Sequence, residues 1–185
     1  TGPELAYRAM KSGAYVAVAH PAWYTLTEAD ITSLGQLHAI EVFNGTSVDS
    51  NDRADSWHIT DIMLSQGWRY TICATDDAHF HPHRHDAGLG WVYVKARRLD
   101  PRAIVEALKR GDSYSSTGPQ IHDIAFAGGN RIVVRCSPAD RVYLTGQGAA
   151  ARHAYGPGLR EAEFSLRNFD SPYCRVTVRD AQGER

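Results

Sequence analysis

Asp77 and His79 stand two residues apart, just beyond the run Tyr70-Thr71-Ile72-Cys73-Ala74-Thr75 and Asp76. In extended backbone, residues two apart project to the same side, so this spacing sends a carboxylate and an imidazole toward one point. An oxygen donor beside a nitrogen donor suits a divalent ion such as Zn, Mn or Fe. His20 occupies a matching place, after the apolar run Ala14–Ala19 and before Pro21. In parallel α/β architectures, the carboxyl-end rim of the strands is where ligands and metals are held. His20, Asp77 and His79 are therefore expected to be metal ligands. Plainer readings stand beside that one. Asp-x-His is a common pair, and a histidine at a strand end can simply satisfy a backbone group.

Around these three lie weaker candidates. The tract His81-Pro82-His83-Arg84-His85-Asp86 carries a histidine at every second position, as metal-binding tracts do. A proline-containing loop would equally leave those histidines solvated. Arg84 or His81 could instead contact an anionic substrate. Glu41 sits among apolar residues, where it could face inward and orient ligating histidines or else point to solvent. Asn44, followed by Gly45, reads first as a turn residue and second as a substrate contact. Asp76 adjoins the site, but successive strand residues face opposite ways. It is expected to shape the loop or support the ligands rather than to be one. No phosphate-binding glycine loop and no Gly-x-Ser-x-Gly elbow is present.

The elements that must position these residues alternate between helix and strand. Residues 4–11 read as a helix end stopped by Ser12-Gly13. Thr27 is an N-cap for a second helix, a third covers roughly 53–66, and a fourth covers 101–110 with Pro101 at its start and Gly111 after its end. Between them, 14–19, 38–43, 69–75 and 91–95 read as strands. Alternation at this spacing argues for βα units and a parallel sheet or barrel. Beyond Ser116-Thr117-Gly118-Pro119 the texture changes to short strands, at 120–127, 131–136, 141–145, 161–167 and 173–180, separated by turns. A domain boundary is expected near residue 119, with an all-β, sandwich-like module after it.

Composition excludes more than it selects. The hydrophobic fraction is 43% and the formal net charge is −1, so a packed core is expected and no overall pull toward nucleic acid or an anionic membrane. Only Lys11, Lys95 and Lys109 are lysines, and the arginines are scattered. Cys73, Cys136 and Cys174 are odd in number and far apart, which favours a reducing, cytoplasmic setting. No apolar run is long enough to span a bilayer.

Four segments together resemble a known superfamily. Ala19-His20-Pro21, Ile40-Glu41-Val42-Phe43-Asn44-Gly45, Ala74-Thr75-Asp76-Asp77-Ala78-His79-Phe80 and Ser113–Pro119 are similar in order and spacing to the PHP (polymerase and histidinol phosphatase) metallohydrolases. The nearest resemblance is to the branch that includes carbaryl-hydrolase-like enzymes, over about residues 12–119. It implies a distorted (β/α)7 barrel holding two or three divalent metal ions, with His20, Asp77 and His79 among the ligands. The family's early His-x-His motif does not occur in this chain and would precede residue 1. Residues 1–119 are thus expected to be the C-terminal part of such a barrel, and 120–185 an appended β-rich domain. The implied activity is hydrolysis of a small-molecule phosphoester. A carbamate ester or amide hydrolase at the same centre is the alternative enzyme, and a non-catalytic module with an incomplete metal site is the alternative outside catalysis.

Overall fold

The computed structural model describes residues 1–185. The chain is mixed α/β, with 22% helix and 35% strand, and divides into two compact units, Thr1–Ser115 and Ser116–Arg185. No helix is long and apolar enough to cross a membrane.

In the first unit, helix α1 (Gly2–Lys11) begins at Thr1, whose hydroxyl accepts the Glu4 N–H, and ends at Ser12. Strand β1 (Ala17–Val18) is shorter than the expected 14–19. Helix α2 (Glu28–Ser33) starts at Thr27 with a reciprocal box, in which the Thr27 hydroxyl accepts the Asp30 N–H and the Asp30 carboxylate accepts the Thr27 N–H. Strand β2 (Ala39–Asn44) follows, and all but one of its residues are buried. Helix α3 (Gly45–Ser50) comes immediately after, where the sequence suggested only a turn. The Asn44 side chain accepts the Ser47 N–H and so starts a helix rather than a simple turn. Helix α4 (Trp57–Ser65) is shorter than the expected 53–66 helix, and strand β3 (Thr71–Thr75) ends before Asp76.

Strands β1, β2 and β3 form one parallel sheet in that order. Val18, Ile31, Leu37, Ile40, Met63 and Tyr70 pack together on its helix-covered side. Burial of β2 on both faces explains its near-continuous apolar sequence. Strand β4 (Trp91–Val94), helix α5 (Pro101–Arg110) and strand β5 (Ser113–Ser116) complete the unit, with β4 and β5 paired in a separate sheet. Asp100 and Pro101 open α5 and Gly111, at φ 77°, closes it in the left-handed region. The hydrogen-bonded strands are thus three parallel and two apart, not a closed ring.

The second unit is all β. Strands β6 (Ile121–Ala127), β7 (Arg131–Thr145), β8 (Ala151–Ser165) and β9 (Arg175–Arg179) form one antiparallel sheet, with β7 pairing β6, β8 and β9. Two expectations are corrected here. Segments 131–136 and 141–145 are one strand, because the Ser137–Asp140 stretch is absorbed as register shifts on either side of Ala139 rather than as a turn. Residues 151–160 extend β8, although their glycines and proline suggested a turn. The expected sandwich is a single sheet, whose core holds Ile132, Val134, Val142, Leu144, Phe164 and Val178. All three cysteines are free.

Candidate functional site

Three loops at the carboxyl ends of β1, β2 and β3 meet in the first unit. His20, Trp23 and Tyr24 come from the first loop, Thr46 from the start of α3, and Asp77, His79 and Arg84 from the third. Together they line a pocket of about 390 Å³. All three expected ligands therefore reach one cavity.

The route by which Asp77 and His79 get there differs from the expectation. Strand β3 has already ended, and Asp77 adopts φ 50° and Phe80 φ 54°. His20 also has positive φ, 29°. Non-glycine residues in the left-handed region are uncommon and store local strain. At His20, Asp77 and Phe80 the chain turns sharply rather than continuing in extended register.

Glu41 is the anchor beneath the rim. It is only 5% exposed, so the solvent-facing reading does not hold. One carboxylate oxygen accepts the His20 backbone N–H and, at 3.2 Å, the Asn44 side-chain amide. The other accepts the Thr75 hydroxyl. Asn44, 2% exposed, passes the connection on by donating to Asp77 Oδ2 at 3.2 Å. Glu41 and Asn44 thus tie together the loops that carry His20 and Asp77. Glu41 also faces Cys73; burial and that carboxylate push the Cys73 thiol up to about 12, leaving it inert.

Asp76 shapes the third loop. Its carboxylate accepts the N–H groups of Gly88, Leu89 and Gly90 at 2.6, 2.8 and 2.9 Å. Burial opposes its ionisation, yet those three N–H groups hold it below the ordinary carboxylate range. The Asp76 carbonyl also accepts the Thr46 N–H at 2.8 Å. That contact needs Gly45, where an added Cβ would lie 2.9 Å from the same carbonyl oxygen.

Two important residues had no motif to announce them. Asp86, 2% exposed, accepts the His79 N–H at 2.9 Å and lies 3.3 Å from the Thr46 hydroxyl. The His79 backbone bond holds the Asp86 carboxyl below the usual range against the effect of burial. Thr46 Oγ1 lies 3.3 Å from His79 Nδ1, which leaves Nε2 as the ring nitrogen available to a ligand. An acid at the end of a histidine-rich tract was the only available signal for Asp86, and Thr46 gave none.

Of the histidine tract, Arg84 lines the pocket and His81 does not. The rings of His79, His81 and His83 stack in sequence, with centroids 6.1 and 5.9 Å apart, and His81 and His83 are exposed.

The donors fit divalent ions in part. His20 lines the same pocket as Asp77 and His79, and its Nδ1 is buried without a hydrogen-bond partner; buried polar atoms are rarely left so. The nitrogen and oxygen set is chemically suitable. No group of three or more His, Cys, Asp or Glu side chains is close enough together to hold a metal ion. The site presents candidate ligands on a braced frame, not a closed coordination sphere. No family model matches the chain, and no curated protein or solved structure matches it either.

Proposed function

We propose that the chain carries part of the centre of a metal-dependent hydrolase acting on small-molecule phosphoesters, and that residues 1–119 belong to a distorted (β/α)7 barrel of PHP type. One observation carries the reading: His20, with its unpartnered buried Nδ1, shares a pocket with Asp77, His79 and a single guanidinium, Arg84. On this reading His20, Asp77 and His79 hold divalent ions of the Zn, Mn or Fe class. When bound, such ions supply Lewis acidity and make water acidic enough to deprotonate near neutral pH.

The remaining work falls to the protein's own groups. Glu41 fixes the His20 backbone, and Asn44 fixes the Asp77 carboxylate, so neither ligand must be ordered when an ion arrives. Asp86 and Thr46 orient the His79 ring. Arg84 neutralises a phosphoryl oxygen, a task its planar fork suits. Trp23 and Tyr24, whose rings lie 6.3 and 5.4 Å from that of His20, line the pocket beside it. A lone cation at the pocket favours the phosphoester over the carbamate, which has no anionic group to match it. The resemblance assigns the remaining ligands to a His-x-His pair outside these residues.

Two measurements test the reading. Titration of the chain with Mn, Zn and Fe should give binding that weakens at least about tenfold in His20→Ala and Asp77→Ala. In protein that also carries the His-x-His segment, phenyl phosphate should be hydrolysed and aryl carbamate spared. Unchanged turnover in folded Asp77→Ala would remove Asp77 from the site, and binding of no metal by the chain would favour a non-catalytic module.

A further inference from the structure

The near-neutral total charge hides an uneven division. Residues 116–185 hold nine arginines and no lysine against four Asp and three Glu, so the second unit is net basic while the first is net acidic. Its arginines are of two kinds. On one part of the β-sheet they are neutralised: Arg131 pairs with Glu163 at 2.8 Å, and Arg135 with Glu161 at 2.8 Å and Asp123 at 3.3 Å. On the other part, Arg141 and Arg179 have no such partner.

There, Arg141 of β7 stands opposite Tyr155 of β8 and Arg179 of β9, and Tyr143 stands opposite His153 and Thr177. Directly opposed residues project from the same face of a sheet. It is the face away from the core, because the alternating residues Val142, Leu144, Val176 and Val178 are the ones packed inside. Tyr155 is 60% exposed, and Arg141 and His153 are also exposed. The rings cluster: His153 and Tyr155 stack with centroids 4.5 Å apart, and Tyr143 meets Tyr155 edge-on at 6.2 Å. Arg141 lies 5.7 Å from the centre of the Tyr155 ring. Neither Arg141 nor Arg179 pairs with a carboxylate, and Arg179 Nε is buried with no acceptor.

We propose that this face of the β7–β8–β9 sheet binds single-stranded nucleic acid, with Arg141 and Arg179 on the phosphates and His153 and Tyr155 against the bases. Alternating rings and guanidinium groups on one sheet face match a strand that alternates phosphates with bases. An acidic peptide would use the arginines but leave the exposed rings without a counterpart. The inference does not depend on the hydrolase reading, since it uses none of the pocket residues.

The test is fluorescence anisotropy with the full chain, labelled dT12 and rU12, a duplex of equal length, and a labelled poly-glutamate peptide. The single strands should bind, the duplex more weakly, and affinity should fall with salt at a log–log slope of about −1.4, as two phosphate contacts on a single strand require. Tyr155→Ala and the pair Arg141→Ala with Arg179→Ala should each weaken binding at least about tenfold. Arg135→Ala, from the neutralised part, should change it less than about threefold. Circular dichroism melts establish that each variant is folded, and Tyr155→Phe, which keeps the ring, should retain binding if Tyr155→Ala unfolds. Absence of oligonucleotide binding, equal affinity for duplex, equal loss in Arg135→Ala, or stronger binding of poly-glutamate would each overturn the proposal.

Discussion

Replacing Glu41 with alanine and, separately, with glutamine distinguishes a geometric anchor from a mere buried charge. Alanine removes every acceptor at once. The His20 N–H is left in the interior with no alternative, while Asn44 keeps Asp77 and the Thr75 hydroxyl can rotate away. An unmet buried donor costs about 1–3 kcal/mol, so one full loss and two partial ones come to about 3 kcal/mol. Glutamine keeps one oxygen for the His20 and Asn44 N–H groups and offers an amide to the Thr75 oxygen. Losing only the charge assistance, it should cost about 1 kcal/mol. All four tryptophans, Trp23, Trp57, Trp68 and Trp91, lie in the first unit, so urea unfolding followed by their fluorescence reports on that unit selectively. With a urea slope of roughly 1–3 kcal/mol/M, Glu41→Ala should lower the midpoint by about 1–3 M and Glu41→Gln by about a third of that. Equal midpoints for the two variants, or a Glu41→Ala midpoint equal to wild type, would refute the anchoring role.

Further outcomes follow from the same loops. Gly45→Ala places a Cβ 2.9 Å from the Asp76 carbonyl oxygen and 3.0 Å from its Cα; since backbone cannot swing aside, it should cost about 1–3 kcal/mol in the same urea assay. Asp76 is held below the ordinary carboxylate range in the folded state, so its stabilisation is present above the unfolded value and lost as pH falls through the folded one. The stability gap between wild type and Asp76→Asn should therefore be largest near neutral pH and close below about pH 4, and a gap independent of pH would contradict the assignment. In metal titrations, Asp86→Asn should weaken binding less than Asp77→Ala does, because Asp86 acts through the His79 backbone and ring rather than as a ligand.

Much of the frame was legible because its signals are local. The Thr27 cap, the Pro101 start and the Gly111 stop of α5 depend on neighbours within one turn, and each lies where the sequence indicates. Period and composition also distinguished the alternating first unit from the β-rich second one. Local rules misled where a distant partner outweighed them. Ser137–Asp140 reads as a turn, but hydrogen bonding along β7 absorbs it as a bulge. Asn44-Gly45 reads as a turn, but it opens a helix, and Gly45 is small because Asp76 lies against it.

The candidate site divides along the same line. Residue chemistry alone indicated His20, Asp77 and His79, since carboxylates and imidazoles beyond strand ends are informative wherever the chain later folds. Only the tertiary structure could show that three loops bring them to one pocket with Arg84, and that Glu41, Asn44, Thr46 and Asp86 brace them. Hydrogen bonds such as Asn44 to Asp77 and Thr75 to Glu41 join positions more than thirty residues apart. Nothing in a local sequence window encodes such a partnership. A buried polar group declares its role only when the groups that satisfy it are in place.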